Sequence, residues 1–188
     1  NVDEFNKNIK KINAKNEKVT ENQISNMANI HKSLLIAENQ CNDLIYFVED
    51  DYLHKQDALN EMILAYERIS SQINKELILC PADYPFLYTK IEPTNIFLGS
   101  NKHWRRIDET LCTFFTSKIM LKKHWDKFVS MCQFEHYPFE QPLHDIYKLE
   151  YCLSPIPSLA IHCTNINSIF GLSPNVDWMK IWEENKSY

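Results

Sequence analysis

Glu49-Asp50-Asp51 closes a run of strand-forming residues, Leu44-Ile45-Tyr46-Phe47-Val48, and no other stretch of the chain is better suited to holding a cation. Carboxylate oxygens suit hard divalent ions such as Mg²⁺ and Mn²⁺, which share their remaining positions with water and substrate phosphates. Alternate residues of an extended chain point the same way, so Glu49 and Asp51 form an acid-x-acid pair. The same acids could cap the helix that follows or remain solvated, but one cap needs one acid, not three.

The elements that must position this group are legible around it. The apolar run over 44–48 lacks strict alternation, the pattern of a strand buried on both faces as in a parallel α/β sheet, where ligands bind outside the carboxyl ends of strands. Ahead of it, Ile24, Met27, Ala28, His31, Leu34 and Leu35 share one face of a helix over 22–38, which makes His31 a core histidine. Residues 55–73 predict a helix with Leu59, Ile63, Tyr66 and Ile69 or Ile73 inward. A second strand over 76–80 follows, ending in Pro81-Ala82-Asp83-Tyr84-Pro85. Such a crossover brings both strand ends to one edge of the sheet, so that Asp83 is expected beside Asp50 and Asp51.

Further on, residues 95–98 predict a short strand, 110–116 another, 117–132 a helix, and 133–142 a loop over the pocket. A short helix over 143–147 and a segment over 149–163, ending in Leu159-Ala160-Ile161-His162-Cys163, close the core. Trp178, Ile181 and Trp182 form one apolar helix face against the body. The expected organisation is a single domain over 1–188. Its parts are a peripheral helix or loose terminus at 1–20, a donor and metal half at 22–85, and an acceptor half with a carboxyl-terminal helix at 95–188.

Composition narrows the function classes. The 188 residues are 44% hydrophobic and carry a net charge of −5, enough to bury one core and without the global basic field of a nucleic-acid binder. No run reaches the roughly 18 apolar residues of a transmembrane helix. The six cysteines form no C-x-x-C pair and sit beside apolar segments, which predicts reduced thiols and a cytoplasmic or cytosol-facing protein, with peripheral membrane association open. With only Gly99 and Gly171, neither a G-x-G-x-x-G loop nor a P-loop can be built, so any phosphate must be held by metal and side chains.

In order, the helix carrying Asn26 and Asn29, the strand with Glu49-Asp50-Asp51, Asp83-Tyr84-Pro85, His103-Trp104-Arg105 with Thr110, and Pro155-Ile156-Pro157-Ser158-Leu159-Ala160-Ile161-His162 resemble the central and carboxyl-terminal parts of a GT-A-fold glycosyltransferase, close to family-2-like bacterial enzymes. The resemblance spans about residues 22–182. It implies an α/β fold with a mixed, mostly parallel sheet flanked by helices, lacking the first strand–helix units that form the base pocket, which are expected upstream. It also implies a nucleotide-sugar donor, a glycan or other hydroxyl acceptor, and Mn²⁺ or Mg²⁺. Asp51 takes the place of the direct metal ligand with Asp50 beside it, and His162 that of a late histidine ligand, which favours manganese. Glu49 and Asp50 would reach sugar or ribose, with Asp83, Tyr84, Trp104 and Arg105 in the donor and substrate site.

An inverting enzyme of this kind needs a base for the acceptor hydroxyl, for which Asp145, His144 and Glu140 are the candidates and Asp108 a weaker one. Trp104, Tyr84 and Tyr137 could stack on a pyranose, and Arg105 and Arg106 could neutralise a diphosphate or an acidic acceptor. The competing classes are a noncatalytic carbohydrate-binding domain derived from a transferase and a nucleotidyltransferase-like metal enzyme.

Overall fold

The computed structural model describes residues 21–133, 140–163, 171–173 and 176–186. The expectations for 1–20, for Tyr137 and for most of the pocket loop lie outside the described residues.

A six-stranded mixed sheet forms the centre, in the order β1-β6-β3-β7-β5-β4. Its strands are β1 (Leu44–Phe47), β3 (Leu77–Leu79), β4 (Ile96–Leu98), β5 (His103–Arg106), β6 (Phe114–Ser117) and β7 (Tyr151–Ile156). All neighbours are antiparallel except β3 and β7. The expected mostly parallel sheet is therefore corrected to a mostly antiparallel one, and the reason is specific. β1 and β3 do run in the same direction, but β6, from much later in the chain, inserts between them and pairs antiparallel to both.

Helices cover both faces, because each strand sends alternate side chains to opposite sides. Ile45, Ile78, Phe114 and Cys152 join one apolar cluster, while Leu77, Leu79, Phe115 and Leu153 join another. The second cluster is closed by α2 (Ala58–Ile73) through Ala58, Met62, Ala65, Tyr66 and Ile69. Leu59, expected inward, is 51% exposed; the inward face is rotated toward Met62 and Ala65. The first cluster is covered by α1 (Glu21–Gln40), the short helices α3 (Lys118–Lys123) and α4 (Trp125–Ser130), and α5 (Gln141–Leu149). His31 is buried, as the helix pattern requires, and burial lowers its pKa. Each fully buried Leu, Ile or Phe in these layers contributes about 1.5–3 kcal/mol.

Two features bear on the site. β2 (Tyr52–His54) leaves the main sheet directly after the acids and pairs antiparallel with β8 (Ala160–His162). The turn into β8, which carries a cis Ile156–Pro157 bond, lies over the end of β3, where Leu159 and Ala160 donate to the Pro81 carbonyl. The last helix, α6 (Trp178–Asn185), buries Ile181 but leaves Trp178 at 41% and Trp182 at 50% exposure, so the expected three-residue inward face is reduced to one residue.

Candidate active site

The carboxyl ends of β1, β3 and β7 lie along one edge of the sheet, and the acids follow β1 there. Glu49 is half-buried because the start of β6 lies against it: its backbone N–H donates to the Thr113 hydroxyl at 3.0 Å, and that hydroxyl lies 3.2 Å from its own carboxylate. Burial raises the Glu49 pKa, and the neighbouring Asp51 charge raises it further. Asp50 is exposed.

Asp51 is placed by the β2–β8 ladder. The ladder sets Tyr52 opposite His162, and Cys163 donates its backbone N–H to the Asp51 carbonyl at 2.7 Å. The imidazole consequently stacks on the Tyr52 ring, with centroids 4.9 Å apart, and its Nε2 lies 2.9 Å from the Asp51 carboxylate. An ionised carboxylate only accepts, so Nε2 carries a proton in this state. The other ring nitrogen, Nδ1, is buried without a partner among the described residues.

Beyond this pair, the field of the edge is shared. Glu140, at the start of α5, is half-buried and has its pKa raised by desolvation. The Cys112 thiol lies 3.6 Å from its carboxylate and is itself pushed well up by burial, so it remains a neutral donor. Glu140 and His162 both act on Glu49, the one raising and the other lowering its pKa. A cavity of about 700 Å³ opens beside these groups, with Asn29 and Ser33 of α1 on one side and Tyr46, Glu49, Asp50, Asp51 and Cys112 on the other.

The remaining predicted residues go elsewhere. Tyr84 is fully buried and exchanges a hydroxyl hydrogen bond with Tyr52, so it supports the His162 platform rather than stacking on a ligand. Trp104 is also fully buried, with its indole N–H on Glu61 at 3.2 Å, and has no face to offer a sugar. Asp83 shares the sheet edge with the acids as expected but does not face their cavity; it is buried and taken up by Arg105, Tyr88 and the Ser158 hydroxyl on its N–H. His144 bonds the Thr110 carbonyl, and Asp145 accepts from Gln141 on its own helix. Thr113, Cys112 and Tyr52 belong to the site without having been singled out, since only the β1–β6 and β2–β8 pairings bring them there.

Among the described residues, no three His, Cys, Asp or Glu side chains converge as a ligand set. The Asp51–His162 pair supplies a hard oxygen donor and a borderline nitrogen donor, and a cation between them would displace the Nε2 proton, the usual exchange when imidazole ligates. No protein-family model, no curated protein and no solved structure matches the chain. Among the described residues, no helix is long and apolar enough to cross a membrane.

Proposed function

We propose that the chain carries the metal and acceptor side of a nucleotide-sugar-dependent glycosyltransferase with a GT-A-like sheet. The observation supporting this reading is the meeting of Asp51 and His162, 111 positions apart, at a strand end that borders a cavity. Asp51 and His162 would hold Mn²⁺ or Mg²⁺, with Asp50 at the exposed mouth. When bound, such an ion stabilises the charge that develops on a departing diphosphate.

The chain's own residues supply the rest. Tyr52, backed by Tyr84, fixes the plane of His162, so the ligand nitrogen is oriented before anything binds. Glu49 is held by the Thr113 hydroxyl and lines the cavity, where its carboxyl group can hydrogen-bond a sugar or ribose hydroxyl. Glu140 is the base of choice among the three candidates. Its carboxylate lies 3.6 Å from the Cys112 thiol, which lines the cavity, and desolvation raises its pKa, which makes it a stronger proton acceptor for an acceptor hydroxyl.

The test is a panel of nucleotide sugars incubated with manganese, with sugar release or transfer as the readout. Glu140→Gln is expected to lower kcat about 10²–10⁴-fold with donor KM nearly unchanged, the range for loss of a general base. Equal turnover by this variant removes Glu140 from the mechanism. A chain stabilised by glycan alone, and never by manganese with a nucleoside diphosphate, is a binding module instead.

A further inference from the structure

Only one edge of β1 is paired. The Lys118 N–H donates to the Asp43 carbonyl at 2.7 Å and the Glu49 N–H to the Thr113 hydroxyl at 3.0 Å, so residues 43, 45, 47 and 49 address β6. Antiparallel pairing alternates, and Leu44, Tyr46 and Val48 therefore turn their backbone N–H and C=O groups to the opposite side. β1 ends the sheet there, and among the described residues none of these outward groups has a hydrogen-bond partner. Open strand edges are normally guarded by lysine, proline, a bulge or a covering element. Leu44-Ile45-Tyr46-Phe47-Val48 contains neither lysine nor proline, and α1 packs only on the face that carries Ile45 and Phe47.

The helix leaves a trough beside that edge. The 700 Å³ cavity is lined by residues 45–48 in unbroken succession and, across from them, by Asn29, Ser33 and Ile36 of α1. Successive side chains leave a strand toward opposite faces, so a cavity touching all four positions follows the edge of the strand. Ile36, 43% exposed, and Val48, 50% exposed, give the trough apolar walls. Among the described residues, the charged side chains lining it are Glu49, Asp50 and Asp51, with no lysine or arginine to offset them. Lys118, toward the other end of β1, is spent on the Cys41 carbonyl at 2.6 Å, and His162 is engaged by Asp51. The trough is therefore acidic where β1 finishes.

We propose that β1 takes an extended peptide of a partner protein as an added strand in this trough, with apolar side chains against α1 and a basic residue beside Glu49-Asp50-Asp51. The inference goes beyond the transferase reading and does not rest on it. In such strand addition the main-chain hydrogen bonds give affinity and the side-chain contacts give specificity. The open edge over 44–48 accommodates about five peptide residues, a span of about 17 Å. A second copy of this chain is the poorer occupant. Aligned antiparallel over 44–48, it would set Asp43 of each copy opposite Glu49 of the other, and like charges facing across a strand pair repel.

Calorimetry with chelator present, so that no cation occupies the acids, tests this with the blocked peptides Lys-Lys-Val-Thr-Val-Thr-Val-Lys-Lys and Glu-Glu-Val-Thr-Val-Thr-Val-Glu-Glu. The lysine peptide is expected to bind at least about tenfold more tightly, as one charged hydrogen bond implies. Methylating the backbone nitrogens of either the valines or the threonines reads the strand itself. One set faces β1 and the other faces water, so one modification should cost at least about tenfold and the other less than about threefold. Ile36→Lys should weaken the lysine peptide at least about tenfold while leaving the thermal midpoint near that of wild type. The methylation contrast needs no variant and decides the matter even if Ile36→Lys fails to fold. The proposal is overturned by a lysine peptide that gives no binding at about 1 mM, by equal binding of the two charge types, or by equal losses from the two methylations. A chain that sediments as a dimer which the lysine peptide does not dissociate overturns it as well. If the peptide binds in this way to a chain that transfers no sugar, the strand site stands and the transferase reading falls.

Discussion

Asp51 and His162 show how much of a site can be present in a sequence as residue types and absent as geometry. Each is visible at the end of an apolar run, but their contact depends on β2 leaving the sheet to pair with β8, a register no local pattern encodes. Trp104 and Tyr84 fail in the opposite way: aromatic residues beside polar ones suggested sugar stacking, and tertiary packing made both fully buried supports. The half-buried Glu49 and Glu140 make a prediction with a definite sign. Burial raises Glu49 and Glu140 above the ordinary carboxyl range, so the folded state holds their protons longer than the unfolded chain does. Their contribution is fully present below the unfolded pKa and is lost as pH rises through the folded values. Without metal, the thermal midpoint of wild type should therefore fall relative to Glu49→Gln as pH rises from about 5 to about 8. Parallel midpoint curves for the two proteins would sink this assignment.

At the scale of elements, the strand before the acids, the helix over α2 and the strand after it were all legible, because apolar runs and a helical stripe survive any sheet order. Direction was legible too, since β1 and β3 run the same way; adjacency was not, because β6 pairs with β1 from 67 residues or more away. β5 was passed over for a related reason. His103-Trp104-Arg105-Arg106 reads as polar, and its burial depends on Asp83 accepting the Arg105 charge from another segment. The helix expected over 117–132 divides at His124, which leaves helical geometry with its imidazole 2.6 Å from Glu150. The β4–β5 hairpin shows what holds such a polar strand in place. The buried Glu61 carboxylate accepts the backbone N–H groups of Ser100 and Asn101 and the Trp104 indole, and Gly99 leaves room for it. A Cβ on Gly99 would sit 2.4 Å from Trp104 Nε1 and 2.7 Å from Glu61 Oε1. Gly99→Ala is therefore expected to cost about 1–3 kcal/mol in denaturant unfolding. An unchanged midpoint would mean that the hairpin does not depend on this contact.

Across the whole molecule, the sheet gathers the carboxyl ends of β1, β3 and β7 on one edge. The cavity beside α1 is lined by Glu49, Asp50 and Asp51. The carboxylate side rests on Asp51 and His162, and it can be read directly by calorimetry of nucleoside diphosphates with and without Mn²⁺. The account predicts binding that requires the ion, is weakened at least about tenfold by Asp51→Asn and by His162→Gln, and leaves the thermal midpoint of each apo variant near that of wild type. Nucleoside diphosphate affinity that is the same with manganese, with chelator and in both variants would contradict it.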